Sequence, residues 1–125
     1  MENVPEASDF QTLRRPAKEL FQVTFSNQSM EMLNSLSMEQ QLRLADLLSN
    51  LSPDHVANGQ HGIQRFRRRG KTFYRVRAGQ LRCYFEVEGN RLYSHYILPE
   101  GSTVDLAFRN GLPITEKAIA ESVKK

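Results

Sequence analysis

Residues 63–98 read IQRFRRRGKTFYRVRAGQLRCYFEVEGNRLYSHYIL, and this stretch decides the fold. Between Asp54 and Glu86 the chain carries eight basic residues and no acidic one: Arg65, Arg67, Arg68, Arg69, Lys71, Arg75, Arg77 and Arg82. Two pairs, Gly79-Gln80 and Gly89-Asn90, stand where two-residue hairpin loops belong, with glycine first as in a type II′ turn. Such a loop makes facing residues add to a constant. In the first hairpin it sets Ala78 opposite Leu81, Arg77 opposite Arg82, Val76 opposite Cys83 and Arg75 opposite Tyr84. In the second it sets Glu88 opposite Arg91, Val87 opposite Leu92, Phe85 opposite Ser94, Tyr84 opposite His95, Cys83 opposite Tyr96 and Arg82 opposite Ile97.

This register sorts the side chains. One face reads Tyr74, Val76, Ala78, Leu81, Cys83, Phe85, Val87, Leu92, Ser94, Tyr96 and Leu98, nearly all apolar. It is the expected core face, since a one-residue slip would mix the two sets. The other reads Phe73, Arg75, Arg77, Arg82, Tyr84, Glu86, Tyr93, His95 and Ile97. Arg77 lies directly beside Arg82 there, and like charges opposite each other weaken a sheet. A bound phosphate relieves that repulsion, and the guanidinium fork fits phosphate oxygens two at a time. The plain alternative is a solvated face with splayed guanidinium groups. The upstream run RFRRRGK reads as a mobile basic rim, so Arg65, Arg67, Arg68, Arg69 and Lys71 are candidate RNA contacts.

Outward from the sheet, Leu20–Phe25 alternates, with Phe21, Val23 and Phe25 on one side, and predicts a half-buried strand. Ser26 stands as an N-cap before a short helix with Met30, Leu33 and Leu36 at three-residue spacing. Ser37 and Gln40 form a capping-box pattern for a second helix striped by Leu44, Leu47, Leu48 and Leu51. Ser52-Pro53 ends it. HVANGQHG at 55–62 reads as a loop, and its two histidines are weak as metal ligands. GSTVDLAFRNGLP reads as loop, and Ile114–Lys125 as a short helix capped by Thr115, with Lys124-Lys125 suiting its C-terminus. Residues 1–19 are expected to be a flexible N-terminal extension and residues 20–125 one domain.

At 125 residues the chain is long enough for a core without staples. Its net charge of +3 hides an asymmetry, because the residues outside the basic stretch sum to −5. Such a field holds anions and says nothing of fold. The lone cysteine, Cys83, allows no internal disulfide and suits a reducing cytoplasm. No apolar run approaches the roughly 20 residues of a membrane span, so a membrane role is not expected.

The face also suggests chemistry. RNA cleavage can use the 2′-hydroxyl as nucleophile, given a base, an acid and cations around phosphorus. The row Arg75, Tyr84, His95 offers these, with Arg77 and Arg82 adjacent, and no metal or cofactor is called for. His95 titrates near pH 6.5 when unperturbed; the alternative is a packing histidine on a central strand. Cys83 falls on the core side, away from any base.

The order strand, two helices, antiparallel strands resembles the RelE/ParE superfamily of bacterial toxin–antitoxin toxins. The residues that carry the likeness are FQVTFSNQSMEML and FYRVRAGQLRCYFEVEGNRLYSHYIL, over about Leu20 to Leu98. Tyr74-Arg75-Val76-Arg77 and Leu81-Arg82-Cys83-Tyr84 are its most specific parts. The resemblance implies an α+β, RelE-like fold: an antiparallel twisted sheet with an N-terminal α-helical hairpin on one face. It implies a type II toxin, an endoribonuclease that cleaves ribosome-bound mRNA, with Arg75, Arg77 and Arg82 where the family places basic residues. It also implies a cognate antitoxin as partner. The family usually adds a basic residue after the last strand and a tyrosine near the C-terminus. Here those places read Pro99-Glu100-Gly101-Ser102 and Phe108-Arg109. A ParE-like gyrase inhibitor and a non-catalytic RNA- or ribosome-binding protein stay open as alternatives.

Overall fold

The computed structural model describes residues 20–123; the expected extension 1–19 and the expected lysines 124–125 at a helix end lie outside them. Chain order is β1 (Gln22–Phe25), α1 (Asn27–Ser35), α2 (Met38–Ser49), α3 (Pro53–Ala57), a 3-10 turn (Gln60–Gly62), β2 (Gln64–Arg68), β3 (Lys71–Ala78), β4 (Leu81–Glu88), β5 (Arg91–Pro99), α4 (Thr103–Arg109) and α5 (Glu116–Glu121). The strands form a five-stranded sheet in the order β1-β5-β4-β3-β2. The sheet is mixed rather than wholly antiparallel. Three tight hairpins alternate the directions of β2 to β5. β1 is freed from that rule by the helical crossover that follows it, and it pairs parallel with β5, Gln22 to Arg91 through Phe25 to Ser94.

The helices begin where side chains can take up orphan backbone N–H groups. Ser26 accepts from the Ser29 amide and Ser37 from the Gln40 amide, the latter in a full capping box. Three segments differ from their sequence reading. Pro53–Ala57 is a helical turn rather than loop, because Ser52 and His55 close a second capping box around Pro53 at the helix start. Residues 64–68 are a paired strand rather than a mobile rim, closed by a turn in which Arg69 (φ 52°) and Gly70 (φ 81°) are both left-handed. Thr103–Arg109 is a helix rather than loop, capped by Ser102. On α1 the inward residue is Met32, not Met30, which is 43% exposed.

The first hairpin has the expected register, Arg75–Tyr84, Val76–Cys83 and Arg77–Arg82. The second keeps it from Glu88–Arg91 to Phe85–Ser94 and then slips. Tyr84 faces Tyr96, Cys83 faces Ile97 and Arg82 faces Leu98, so His95 is an extra residue in β5, a β-bulge. Its cause is the start of α1. The Ser26 hydroxyl donates to the His95 carbonyl at 2.7 Å. The Gln28 side chain both donates to the Ile97 carbonyl and accepts from its amide, each at 2.9 Å. The Ser29 hydroxyl donates to the Ser94 carbonyl at 3.0 Å. Three residues within four positions of sequence thus satisfy backbone groups of β5 beyond the end of β1.

The slip moves side chains between faces. Ile97 joins the first core with Phe21, Met32, Leu44, Leu48, Leu51, Val76, Cys83, Phe85 and Leu92. Tyr96 and Leu98 go to the opposite face, the reverse of the expected placement. That face is itself partly covered. Val104 and Phe108 of α4 pack with Phe73, Tyr84 and Leu98 in a second core, flanked by Phe66, Tyr96, Ile114 and Ala118.

Candidate nucleic-acid interface

The bulge sets His95 and Tyr96 side by side on the second face, ring centroids 4.7 Å apart. Around them lies an aromatic bed: Phe73, Tyr93 and Phe108 each contact the His95 ring, and Phe108 also meets Tyr84 and Tyr96. The bed opens into a cleft of about 270 Å³ lined by Arg68, Arg69, Lys71, Phe73, His95, Tyr96, Phe108 and Ile114. Three cations at the mouth and aromatic rings inside are what a phosphate and an unstacked base need.

His95 is half-buried. Desolvation lowers its pKa, with Lys71 and Arg68 acting in the same direction and the Glu86 carboxylate opposing. The imidazole is therefore neutral at pH 7. Its Nδ1 lies 3.6 Å from Glu86 Oε2 and has no hydrogen-bond partner. That carboxylate favours the tautomer with the proton on Nδ1, which leaves the Nε2 lone pair as an acceptor. Burial raises the Tyr96 pKa, so its phenol keeps its proton and can donate. Glu86 is shared with Lys71, 3.8 Å away.

The arginines of the hairpins sit differently. Arg75 is 7% exposed and donates through Nη2 to Gln64 Oε1. Tyr84 is fully buried and its hydroxyl donates to Asp105 Oδ1. Burial, then Asp105, raises the Tyr84 pKa. Asp105 is also fully buried and accepts from Arg82 Nη1 at 2.8 Å and from the Gly101 amide at 2.7 Å. Glu100 Oε2 accepts from Arg77 Nη2 and Arg82 Nη2, each at 3.2 Å. The repulsion between Arg77 and Arg82 is thus relieved from within the chain, by two acids in the segment after β5.

Of the sequence-derived site residues, the structure brings His95 together with Arg68, Arg69 and Lys71. It does not bring Tyr84, Arg77 or Arg82 into the cleft lining. Arg68 stacks over the Phe108 ring at 4.7 Å and donates to the Phe108 carbonyl. Arg67 holds the Gly70 carbonyl at 2.7 Å, and Arg65 is exposed on the edge strand. Tyr96, Phe108, Glu100 and Asp105 are the residues that sequence reasoning missed. A hint existed in the adjacent apolar pair Ile97-Leu98, which fits either register equally well.

Cys83 is buried and its thiol is pushed up to about 12 by desolvation, which removes it as a nucleophile. Among the described residues no three His, Cys, Asp or Glu side chains converge to hold a metal. No helix among them is long and apolar enough to cross a membrane.

A mixed five-stranded sheet with helices on both faces makes this an α+β domain, and its fold is similar to that of one solved RelE–RelB structure. The likeness is to a chain of the crystal structure of an archaeal RelE–RelB complex from Pyrococcus horikoshii OT3, with a TM-score of 0.55 and 19% identity. It covers 68% of this chain and 100% of that one. No family model matches the sequence. No curated protein matches it either.

Proposed function

We propose that this protein is the toxin of a type II toxin–antitoxin system, an endoribonuclease that cuts ribosome-bound mRNA and so stops translation. The observation that carries this reading is the bulge that sets neutral His95 and Tyr96 under Arg68, Arg69 and Lys71. The fold shared with the RelE–RelB chain supports it.

In this reading His95 Nε2 takes the proton of the 2′-hydroxyl, and Glu86 steadies the proton on Nδ1. The 2′-oxygen attacks the neighbouring phosphorus. The 5′-oxygen leaves, protonated by Tyr96, to give a 2′,3′-cyclic phosphate and a 5′-hydroxyl. Arg68, Arg69 and Lys71 stabilise the charge that builds on the phosphoryl oxygens. Arg65 and Arg67 extend the contact along the backbone. Arg75, Arg82 and Tyr84 act as positioning residues beneath the site. An antitoxin is the matching partner, by analogy with the RelB of that complex. A second reading is a non-catalytic RNA- or ribosome-binding protein, favoured by the internal pairing of Arg77 and Arg82.

The test is cleavage of an end-labelled mRNA with and without ribosomes, in the presence of a chelator. His95→Gln should slow cleavage by about 10²–10⁴-fold, the usual worth of general acid–base catalysis, while RNA binding stays intact. A wild-type chain that binds RNA but cuts it in neither condition sinks the enzyme reading.

A further inference from the structure

Arg77 and Arg82 face each other on neighbouring strands, and one carboxylate oxygen, Glu100 Oε2, sits 3.2 Å from a terminal nitrogen of each. Two guanidinium groups converging on one anionic oxygen is the arrangement a phosphate oxygen takes. The geometry points to a phosphate seat at Arg77–Arg82 that Glu100 occupies in cis, so that a phosphodiester must displace Glu100 to bind.

The two acids of this node differ in how firmly they are held. Asp105 is fully buried and has three donors, Arg82 Nη1, the Tyr84 hydroxyl and the Gly101 amide. It cannot leave without stranding a largely buried arginine. The Glu100 side chain is 32% exposed, and among the described residues only Arg77 and Arg82 bond to it. Its backbone is fixed separately, by a hydrogen bond from its amide to the Gln80 carbonyl at 2.8 Å. The side chain can swing out while the chain stays in place. Arg77 is 58% exposed, so an incoming anion reaches the seat from solvent.

A count of charge and acceptors supports the exchange. Arg82 bonds to Asp105 and Glu100 and Arg77 to Glu100, while the neighbouring Arg75 bonds to the neutral Gln64, which leaves one positive charge in excess. The Nε atoms of Arg75 and Arg82 are buried without hydrogen-bond partners. The node is therefore short of acceptors, and a phosphate brings more oxygens than the carboxylate it replaces. Glu100 then acts as a threshold, holding weakly charged ligands off a strongly basic pair.

The seat is tested with Glu100→Gln and, as a charge control, Glu116→Gln on α5. Inorganic phosphate is titrated at millimolar concentration while the arginine side-chain N–H signals are followed by NMR. Glu100→Gln should gain saturable shifts at Arg77 and Arg82 that wild type and Glu116→Gln lack, and Arg77→Ala added to it should abolish them. Equal responses in Glu100→Gln and Glu116→Gln overturn the seat. A second arm rests on the RNA reading and uses an uncleavable 2′-O-methyl oligonucleotide. Glu100→Gln should bind it roughly fivefold tighter, the scale of one exposed ion pair, with a salt slope steeper by about 0.7, the increment for one phosphate on a single strand. Phosphate binding without any oligonucleotide binding overturns the RNA reading and leaves the seat standing. Oligonucleotide binding that Glu100→Gln does not tighten overturns the exchange.

Discussion

The two faces of the sheet are built on different physics. The face under α1 and α2 is closed by aliphatic side chains, Leu44, Leu48, Leu51, Val76, Leu92 and Ile97 among them, around Phe85. The face under α4 is closed by rings, Phe73, Tyr84 and Phe108, and by a buried ion node of Arg82 with Asp105. Burial of apolar area holds the first and tolerates many residue choices. The second depends on matched charges, and a matched buried pair is costly to half-remove. A helix of seven residues has little propensity of its own to stay put. It is pinned by Phe108 and by Asp105, so the basic face and its cover stand or fall together.

The largest expected effect follows from that contrast. Asp105→Ala removes the partner of a largely buried Arg82 and leaves the Tyr84 hydroxyl without an acceptor. It should cost about 4 kcal/mol in urea unfolding. Hydrogen exchange should place the damage in α4 and β2 first and in α1 and α2 last. Uniform loss of protection would mean that the two faces form one cooperative unit and that the contrast is wrong.

Next in size is the aliphatic face. Leu48 is 1% exposed at the centre of the first core, and Leu48→Ala should cost about 3 kcal/mol. Leu42 on the same helix is 62% exposed, and Leu42→Ala should stay within about 0.5 kcal/mol. Equal losses at the two positions would show that the outward side of α2 is covered by something else.

The same contrast explains what was legible in the sequence. The first face announced itself through alternation: Val76, Cys83, Phe85 and Leu92 are apolar at every second position, and they are buried. The two glycine turns fixed most of the register. What escaped was the bulge, because its cause lies far away in the chain, in Ser26, Gln28 and Ser29. Local pattern cannot report a hydrogen bond across 69 residues. The same holds for the arginines. Arg77 opposite Arg82 was legible as a repulsive pair, but the acids of the same chain that meet it were not. Glu100 and Asp105 lie 18 and 23 residues after Arg82, outside any local pattern. Helix α4 was read as loop for a related reason, since Gly101 and Gly111 frame only seven helical residues and their inward stripe is short; it is helical because Ser102 caps it and Phe108 anchors it.

The smallest effect probes how closed the second face is. Burial lowers the His95 pKa in the folded protein, and the neighbouring Lys71 and Arg68 add to the shift while Glu86 opposes it. In the unfolded chain the imidazole takes a proton near pH 6.5. Between the folded-state value and 6.5 the unfolded chain therefore binds more protons, and stability falls as pH drops through that window. Below the folded-state value both states are protonated and the loss stops growing. Groups away from this site are common to wild type and His95→Gln, so the difference between the two reports on His95 and its surroundings. The melting temperature of wild type should drop further than that of His95→Gln between pH 7.5 and pH 5. Parallel curves would mean that His95 is as well hydrated as in the unfolded chain. The aromatic bed would then be open to water, and a neutral base waiting at pH 7 would lose its physical cause.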